Sequence, residues 1–351
     1  IIMKLDTFCI QGGWKPGNGE PRQLPIYQST TWKYSTSEEM GKLFDLEASG
    51  YFYTRLQNPT NDVVADKIRE LEGGVGAVLT SSGQAANFFA IFNIANAGDH
   101  ILSTAAIYGG TSNLFTVTLR KLGIEVELFD QNLPEEEIDK LFRPNTKAVF
   151  GETVTNPSVR VLDIEKFARI AHKHGVPLII DNTFPTPINC RPFEWGADIV
   201  THSTTKYMDG HACQTGGIIV DSGNFDWDKY ADKFPGLTTP DESYHGLTYT
   251  KKFGKLAYTT KLVAQLRRHR HLARSCLTSV WRHFIFVCLA IAQMPLRSLN
   301  FLRAARRWNG LITQGLRAIV AMIWLRSICL MAPAVSFPSA SRAAERPRKP
   351  S

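Results

Sequence analysis

The chain has 351 residues, enough for one large domain and a smaller one, and its 44% hydrophobic and 21% charged residues are ordinary for a soluble globular protein. Its net charge of +8 is unevenly spread: residues 266–351 hold 15 of the 40 Lys and Arg but one of the 32 Asp and Glu, a net of +14, which leaves −6 over residues 1–265. The six cysteines form no C-x-x-C pair or Cys/His metal spacing, and the longest uncharged apolar run, Phe284–Ala292, is far below the roughly 20 residues of a bilayer span, so no metal site, disulfide framework or transmembrane helix is expected.

In chain order, residues 1–50 read as an arm, broken by Pro16, Gly17, Gly19, Pro21 and Pro25. The opening Ile1–Lys4, followed at once by Asp6 and Gly12-Gly13, does not read as a signal peptide, and a reducing cytoplasm is the expected compartment. Thr60 can cap a helix whose apolar positions Val64, Ile68 and Leu71 share one face, with Gly73-Gly74 ending it. Strands and helices then alternate: strand 77–80, helix 83–95, strand 100–104, helix 111–122, strand 126–129, helix 134–142, strand 147–152, helix 164–174, strand 176–181, and further strands at 197–201 and 216–220. Short apolar strands separated by helices predict an α/β fold, a mostly parallel sheet between helices. In such sheets ligands bind beyond the carboxyl ends of the strands, so those ends are where chemistry is sought.

Strand 77–80 runs into Ser81-Ser82-Gly83-Gln84 and a helix. Free N–H groups at that helix start can bind a phosphate, although on this turn alone an ordinary serine cap is the commoner reading. Strand 176–181 ends in Asp181, followed by Asn182-Thr183; a carboxylate here either accepts from a protonated ring nitrogen or caps the next turn. Strand 197–201 ends in His202-Ser203-Thr204-Thr205-Lys206-Tyr207, which places Lys206 where a Schiff-base amine would stand, or a plain surface lysine. A phosphate cradle, an acid for a pyridinium and a Schiff-base lysine on three strand ends are together the parts that pyridoxal phosphate requires. Neither G-x-G-x-x-G nor the P-loop pattern occurs.

Residues 3–266 resemble the Cys/Met-metabolism family of pyridoxal-phosphate enzymes. The most specific stretch is Asp198-Ile-Val-Thr-His-Ser-Thr-Thr-Lys-Tyr207; Tyr51-Phe-Tyr-Thr-Arg55 with Asn58-Pro59-Thr60, Ser81–Gln84, Tyr108-Gly-Gly-Thr111, Glu152 with Asn156-Pro157, and Asp181-Asn-Thr183 add to it. The resemblance implies an aspartate-aminotransferase-like (type I) fold, with an arm over 1–50, a cofactor-binding large domain over 51–250 and the start of a linker helix over 251–266. It implies that Lys206 holds the cofactor, Asp181 pairs with the ring nitrogen, Tyr108 stacks on the ring, and Asn156 lies near the ring oxygen. The Gly83 and Gln84 backbone, with Ser203 and Thr205, would hold the phosphate, and Ser82, Glu152 and Thr183 would complete the cofactor site. Tyr53 and Arg55 would reach the phosphate of a neighbouring subunit, which implies a homodimer or a homotetramer.

Phe193-Glu-Trp-Gly196, the 233–245 stretch and Gly246-Leu-Thr-Tyr-Thr250 are most similar to the O-acetylhomoserine sulfhydrylase branch. That branch implies O-acetylhomoserine and sulfide as substrates and homocysteine and acetate as products. The γ-lyases and cystathionine γ-synthase of the same family are the alternatives.

The resemblance ends near Leu266, where Arg267-Arg268-His269-Arg270-His271 begins the basic segment. Fourteen arginines and one lysine against one acid, without helical or strand rhythm, predict a tail translated out of frame over 267–351 in place of the family's C-terminal small domain. A basic nucleic-acid-binding tail is the alternative. No helix-turn-helix, zinc motif or interleaved aromatic platform accompanies it, so no nucleic-acid or membrane partner is expected.

Overall fold

The computed structural model describes residues 5–266, apart from Gln23 and Leu46. The basic segment 267–351, and with it the expectation of an out-of-frame tail, lies outside the described residues.

The opening arm is less featureless than its Pro and Gly content predicts. It carries helix α1, Leu5–Gln11, and helix α2, Ser37–Phe44, the latter capped by Thr36 Oγ1, which accepts from the Glu39 amide at 3.2 Å. Helix α3 spans Pro59–Glu72. Its cap is Asn58, not Thr60: the Asn58 carbonyl oxygen accepts from the Thr60 amide at 3.0 Å, and Pro59 fills the first helical position, where a missing N–H costs nothing. The Thr60 hydroxyl instead accepts from the Tyr27 amide at 2.9 Å, tying the arm to the domain. Gly73, at φ +84°, ends α3 in the left-handed region open to glycine.

Seven strands follow: β1 Gly76–Thr80, β2 His100–Thr104, β3 Glu125–Phe129, β4 Thr146–Glu152, β5 Leu178–Asp181, β6 Ile199–His202 and β7 Gly217–Asp221. They form one sheet in the order β1-β7-β6-β5-β4-β2-β3, parallel throughout except that β7 runs antiparallel to both β1 and β6. Strand β5 starts two residues later than the sequence predicts, beyond Pro177, which has no N–H to give a ladder.

Helix α4, Gly83–Phe92, covers one face of the sheet. It stops short of the expected residue 95, because Asn93 turns its side-chain amide to the Tyr258 carbonyl at 3.0 Å. The helix expected over 111–122 is α5, Gly109–Asn113, continuing into a wider π-type turn, Leu114–Leu119. The helix expected over 134–142 is α6, the five residues Glu135–Asp139. Helix α7, Ile164–Lys173, is capped by Asp163, whose carboxylate accepts from the Lys166 amide at 3.0 Å; together with α3 it covers the other face of the sheet.

The alternation of strand side chains sorts the core onto these two faces. Phe150, Ile179, Ile199 and Ile219 pack with Phe115 and Ile91 on the α4 side. Leu102, Val149, Leu178 and Ile180 pack with Phe167 and Ile170 of α7, and Leu79, Ile218 and Val220 with Val64 and Ile68 of α3. Burial on both faces explains why the strands read as continuous apolar runs. Residues 251–266 are not one helix start: Gly254, at φ +52°, separates the helix Tyr249–Phe253 from Ala257–Lys261. Among the described residues, no helix is long and apolar enough to cross a membrane.

Because β7 alone is reversed, the carboxyl ends of β1, β4, β5 and β6 and the start of β7 share one edge of the sheet. Thr80 lies opposite Gly217, His202 opposite Ile218, and Glu152 opposite Asp181.

Candidate active site

At that edge the structure gathers most of the residues the sequence singles out. Ser82 accepts from the Ala85 amide at 3.1 Å, so it is the cap of α4. The cap satisfies one of the helix's first amides and leaves the Gly83 and Gln84 N–H groups without a partner among the described residues. The cap and phosphate-cradle readings of this turn are therefore compatible.

Gly83 is needed for close approach: a Cβ there would lie 2.5 Å from the Ser203 Cβ. The start of α4 is thus pressed onto the turn that carries Lys206. Gly217 plays the same part from β7, where an added Cβ would run into the Ser82 carbonyl.

The turn after β6 is held from two sides. The Ser203 amide donates to the Thr183 hydroxyl at 2.8 Å, and the Thr205 hydroxyl exchanges hydrogen bonds with Gly216, donating to its carbonyl at 3.1 Å and accepting from its amide at 3.0 Å. Lys206 stands exposed on this turn, its amine in no ion pair or hydrogen bond among the described residues.

Asp181 ends β5. One of its oxygens accepts from both the Thr183 amide at 3.0 Å and the Thr183 hydroxyl at 2.5 Å; the other accepts from the Asn87 side-chain amide at 3.1 Å. Glu152 ends β4 beside it. Its two oxygens accept from the main-chain amides of Tyr108 at 2.7 Å and Asn156 at 3.2 Å. Burial and the Asp181 charge push the Glu152 carboxyl up to about 8, against the pull of those two amides.

Tyr108 is half exposed, and a Cβ on Gly110 would lie 2.5 Å from its ring, so the glycine makes room for the aromatic face. The Gln84 side chain secures the same loop, donating to the Gly110 carbonyl at 2.6 Å. Among the described residues, Tyr53 and Arg55 share no hydrogen bond or ion pair with this cluster. The Arg55 guanidinium lies 5.5 Å from the Tyr53 ring centroid, and Tyr53 pairs with Thr31 across an isolated bridge.

Two residues that the sequence did not single out, Asn87 and Glu72, brace the site. Asn87 of α4 bonds Asp181, Thr111 and Thr201. Its one local sign is a polar side chain amid the apolar run of α4. Below the edge, fully buried Glu72 and His202 meet at 2.6 Å, and Asn182 donates to the same Glu72 oxygen at 3.1 Å.

The edge therefore presents an unpaired amine, a carboxylate with three donors, a half-exposed aromatic ring and free N–H groups at a helix start. These suit the aldehyde, ring nitrogen, ring face and phosphate of pyridoxal phosphate.

Comparison with known proteins agrees. The sequence pattern of the Cys/Met metabolism PLP-dependent enzymes matches residues 6–255. Homocysteine/cysteine synthase of Saccharomyces cerevisiae is 45% identical over 268 residues, covering 75% of this chain and 60% of that protein. O-acetyl-L-homoserine sulfhydrylase of Leptospira meyeri is 44% identical over 253 residues, covering 72% and 57%. A crystal structure from Campylobacter jejuni, assigned as an O-acetylhomoserine (thiol)-lyase and carrying N'-pyridoxyl-lysine-5'-monophosphate, superposes with a TM-score of 0.75 at 32% identity, covering 81% of this chain and 71% of that one. The chain spans about three fifths of the length of these curated relatives. On the matched residues and on the site they build, the chain belongs to the Cys/Met-metabolism family of pyridoxal-phosphate-dependent enzymes.

Proposed function

We propose that this chain carries the machinery for replacing the acetate of O-acetylhomoserine by sulfide, giving homocysteine. The carrying observation is the meeting of the Lys206 turn, the Asp181 carboxylate and the uncapped amides of α4 at one sheet edge, in a chain 44–46% identical to O-acetylhomoserine sulfhydrylases. Pyridoxal phosphate, when bound, supplies an electron sink that stabilises negative charge on substrate carbons.

Lys206 Nζ is the attachment point of the cofactor and, once released, the base and acid that moves protons between substrate carbons. Asp181 keeps the ring nitrogen protonated, and Thr183 aims its carboxylate by donating twice to one oxygen. Tyr108 covers the ring face. The Gly83 and Gln84 amides, with the Ser203 hydroxyl, hold the phosphate, joined by the Thr205 hydroxyl once its proton turns from the Gly216 carbonyl, and Ser82 fixes the helix start that presents those amides. Glu152 sets the Tyr108 and Asn156 loops together by accepting from both, which brings Asn156 toward the ring oxygen. Tyr53 and Arg55 serve the phosphate of a second copy in a homodimer or homotetramer; the planar Arg fork suits that task. The working compartment is the cytoplasm.

The test is to supply the purified chain with pyridoxal phosphate, O-acetylhomoserine and sulfide, and to measure homocysteine against α-keto acid released from methionine or cystathionine. Homocysteine formation is expected to dominate; dominant keto-acid release would make the chain a γ-lyase.

A further inference from the structure

Asn87 lies one turn into α4, 2% exposed, and reaches both strands that carry the site. Its Nδ2 donates to Asp181 Oδ2 at 3.1 Å and to Thr111 Oγ1 at 3.2 Å, while its Oδ1 accepts from Thr201 Oγ1 at 2.6 Å. Asp181 and Thr201 are register partners on β5 and β6. An ionised carboxylate can only accept, so the amide must turn its nitrogen to Asp181. The Thr201 hydroxyl enforces that orientation by occupying the amide oxygen.

Glu152 lies opposite Asp181 in register, and the Asp181 charge helps push the Glu152 carboxyl up. Both Asp181 oxygens accept hydrogen bonds. Thr183 supplies the donors on one oxygen and Asn87 the donor on the other.

We infer that Asn87 is a positioning residue that fixes the orientation of the Asp181 carboxylate, and through it supports the proton at the cofactor's ring nitrogen. The inference rests on the pyridoxal-phosphate reading of the site. Asn87 acts only through Asp181, and Thr201 acts only through Asn87.

The test uses the full chain and two readouts besides turnover: the dissociation constant for pyridoxal phosphate, and the midpoint of the pH titration of the bound cofactor's visible absorption band. Asn87→Ala should weaken cofactor binding by about tenfold, the size of a lost hydrogen bond to a charged group. It should also raise the titration midpoint, because a less firmly held proton on the ring nitrogen is a weaker neighbouring positive charge. Thr201→Val, which frees the amide without removing it, should shift both in the same direction by less. Thr111→Val removes the other partner of Nδ2 and leaves the bond to Asp181; it should stay within about twofold of the parent, the scale of a few tenths of a kcal/mol, with no change of midpoint. If Asn87→Ala fails to fold, Thr201→Val carries the same comparison. Variants that bind and titrate like the parent would overturn the inference, as would a Thr111→Val shift equal to that of Asn87→Ala. If the parent chain itself takes up no pyridoxal phosphate, the reading of the site fails and the inference with it.

Discussion

Glu152 and Asp181 end neighbouring strands in register, and Glu152, 5% exposed, is pushed up to about 8, first by burial and then by the charge of Asp181. A carboxyl whose pKa rises on folding binds its proton more tightly in the native state than in the unfolded chain. Its stabilising contribution is full below the ordinary carboxylate value of 4.5 and is lost as pH rises through about 8. Buried Asp221, pushed up to about 7, contributes in the same direction. Urea titrations from pH 5 to pH 8.5 should show stability falling with pH, and Glu152→Gln should flatten the upper part of that fall. The difference in slope between parent and variant is bounded by about 1.4 kcal/mol per pH unit for one proton. Parallel pH profiles for the two would contradict the placement of Glu152.

Gly83→Ala should injure the cofactor site more than the fold. In an ordinary helix the change is mildly favourable, but here the new Cβ would lie 2.5 Å from the Ser203 Cβ. The α4 start and the Lys206 turn must part, at a cost of about 1–3 kcal/mol. Pyridoxal-phosphate affinity should fall by tenfold or so, matching that cost. Unchanged affinity would mean that the two segments need not touch.

The Glu72–His202 pair predicts a loss of stability without direct chemistry. Both side chains are fully buried, and Asn182 donates to the same carboxylate oxygen. Glu72→Leu leaves His202 without its acceptor and removes one of the two acceptors of the Asn182 amide, and an unsatisfied buried donor typically costs about 1–3 kcal/mol. The denaturation midpoint should drop accordingly; a midpoint within error of the parent would show that the pair contributes little.

We hold residues 267–351 to be an out-of-frame sequence standing where the family has a small domain, and expect the chain as it stands to turn over poorly. The family resemblance implies that the small domain supplies an arginine for the substrate α-carboxylate, and a buried carboxylate without that partner loses about 2–5 kcal/mol of binding. A version with the reading frame restored after codon 266 should therefore exceed the present chain in homocysteine formation by about thirtyfold or more. Equal rates would make the basic segment a working domain.

How much of this was legible depended on whether the signal was local. Lys206, Asp181 and Ser82 follow strands whose apolar runs can be read directly, so their placement at one edge follows from a mostly parallel sheet. Asn87 carries no such signal. Its partners Asp181 and Thr201 lie 94 and 114 residues away, and only the packing of α4 on β6, with β5 paired beside it, brings them together. Glu72 reads as one more charge at the end of a helix, until His202, 130 residues on, meets it in the interior. The error over the α3 cap was of another kind. Asn58 and Thr60 are both good caps, and the choice fell to Tyr27, whose amide takes the Thr60 hydroxyl. Helices α1 and α2 give little signal because each is only seven or eight residues long, about two turns, too short for a helical period to stand out.

The central claim is that Lys206 is the residue that holds pyridoxal phosphate. The direct measurement is to incubate the full chain with pyridoxal phosphate, reduce with borohydride, digest, and locate the pyridoxyl mass by peptide sequencing. The account predicts one dominant labelled peptide, carrying the modification on Lys206, and its loss in Lys206→Ala while the folded content of the two proteins stays the same. Labelling spread over surface lysines, or a labelling pattern unchanged by Lys206→Ala, would contradict it.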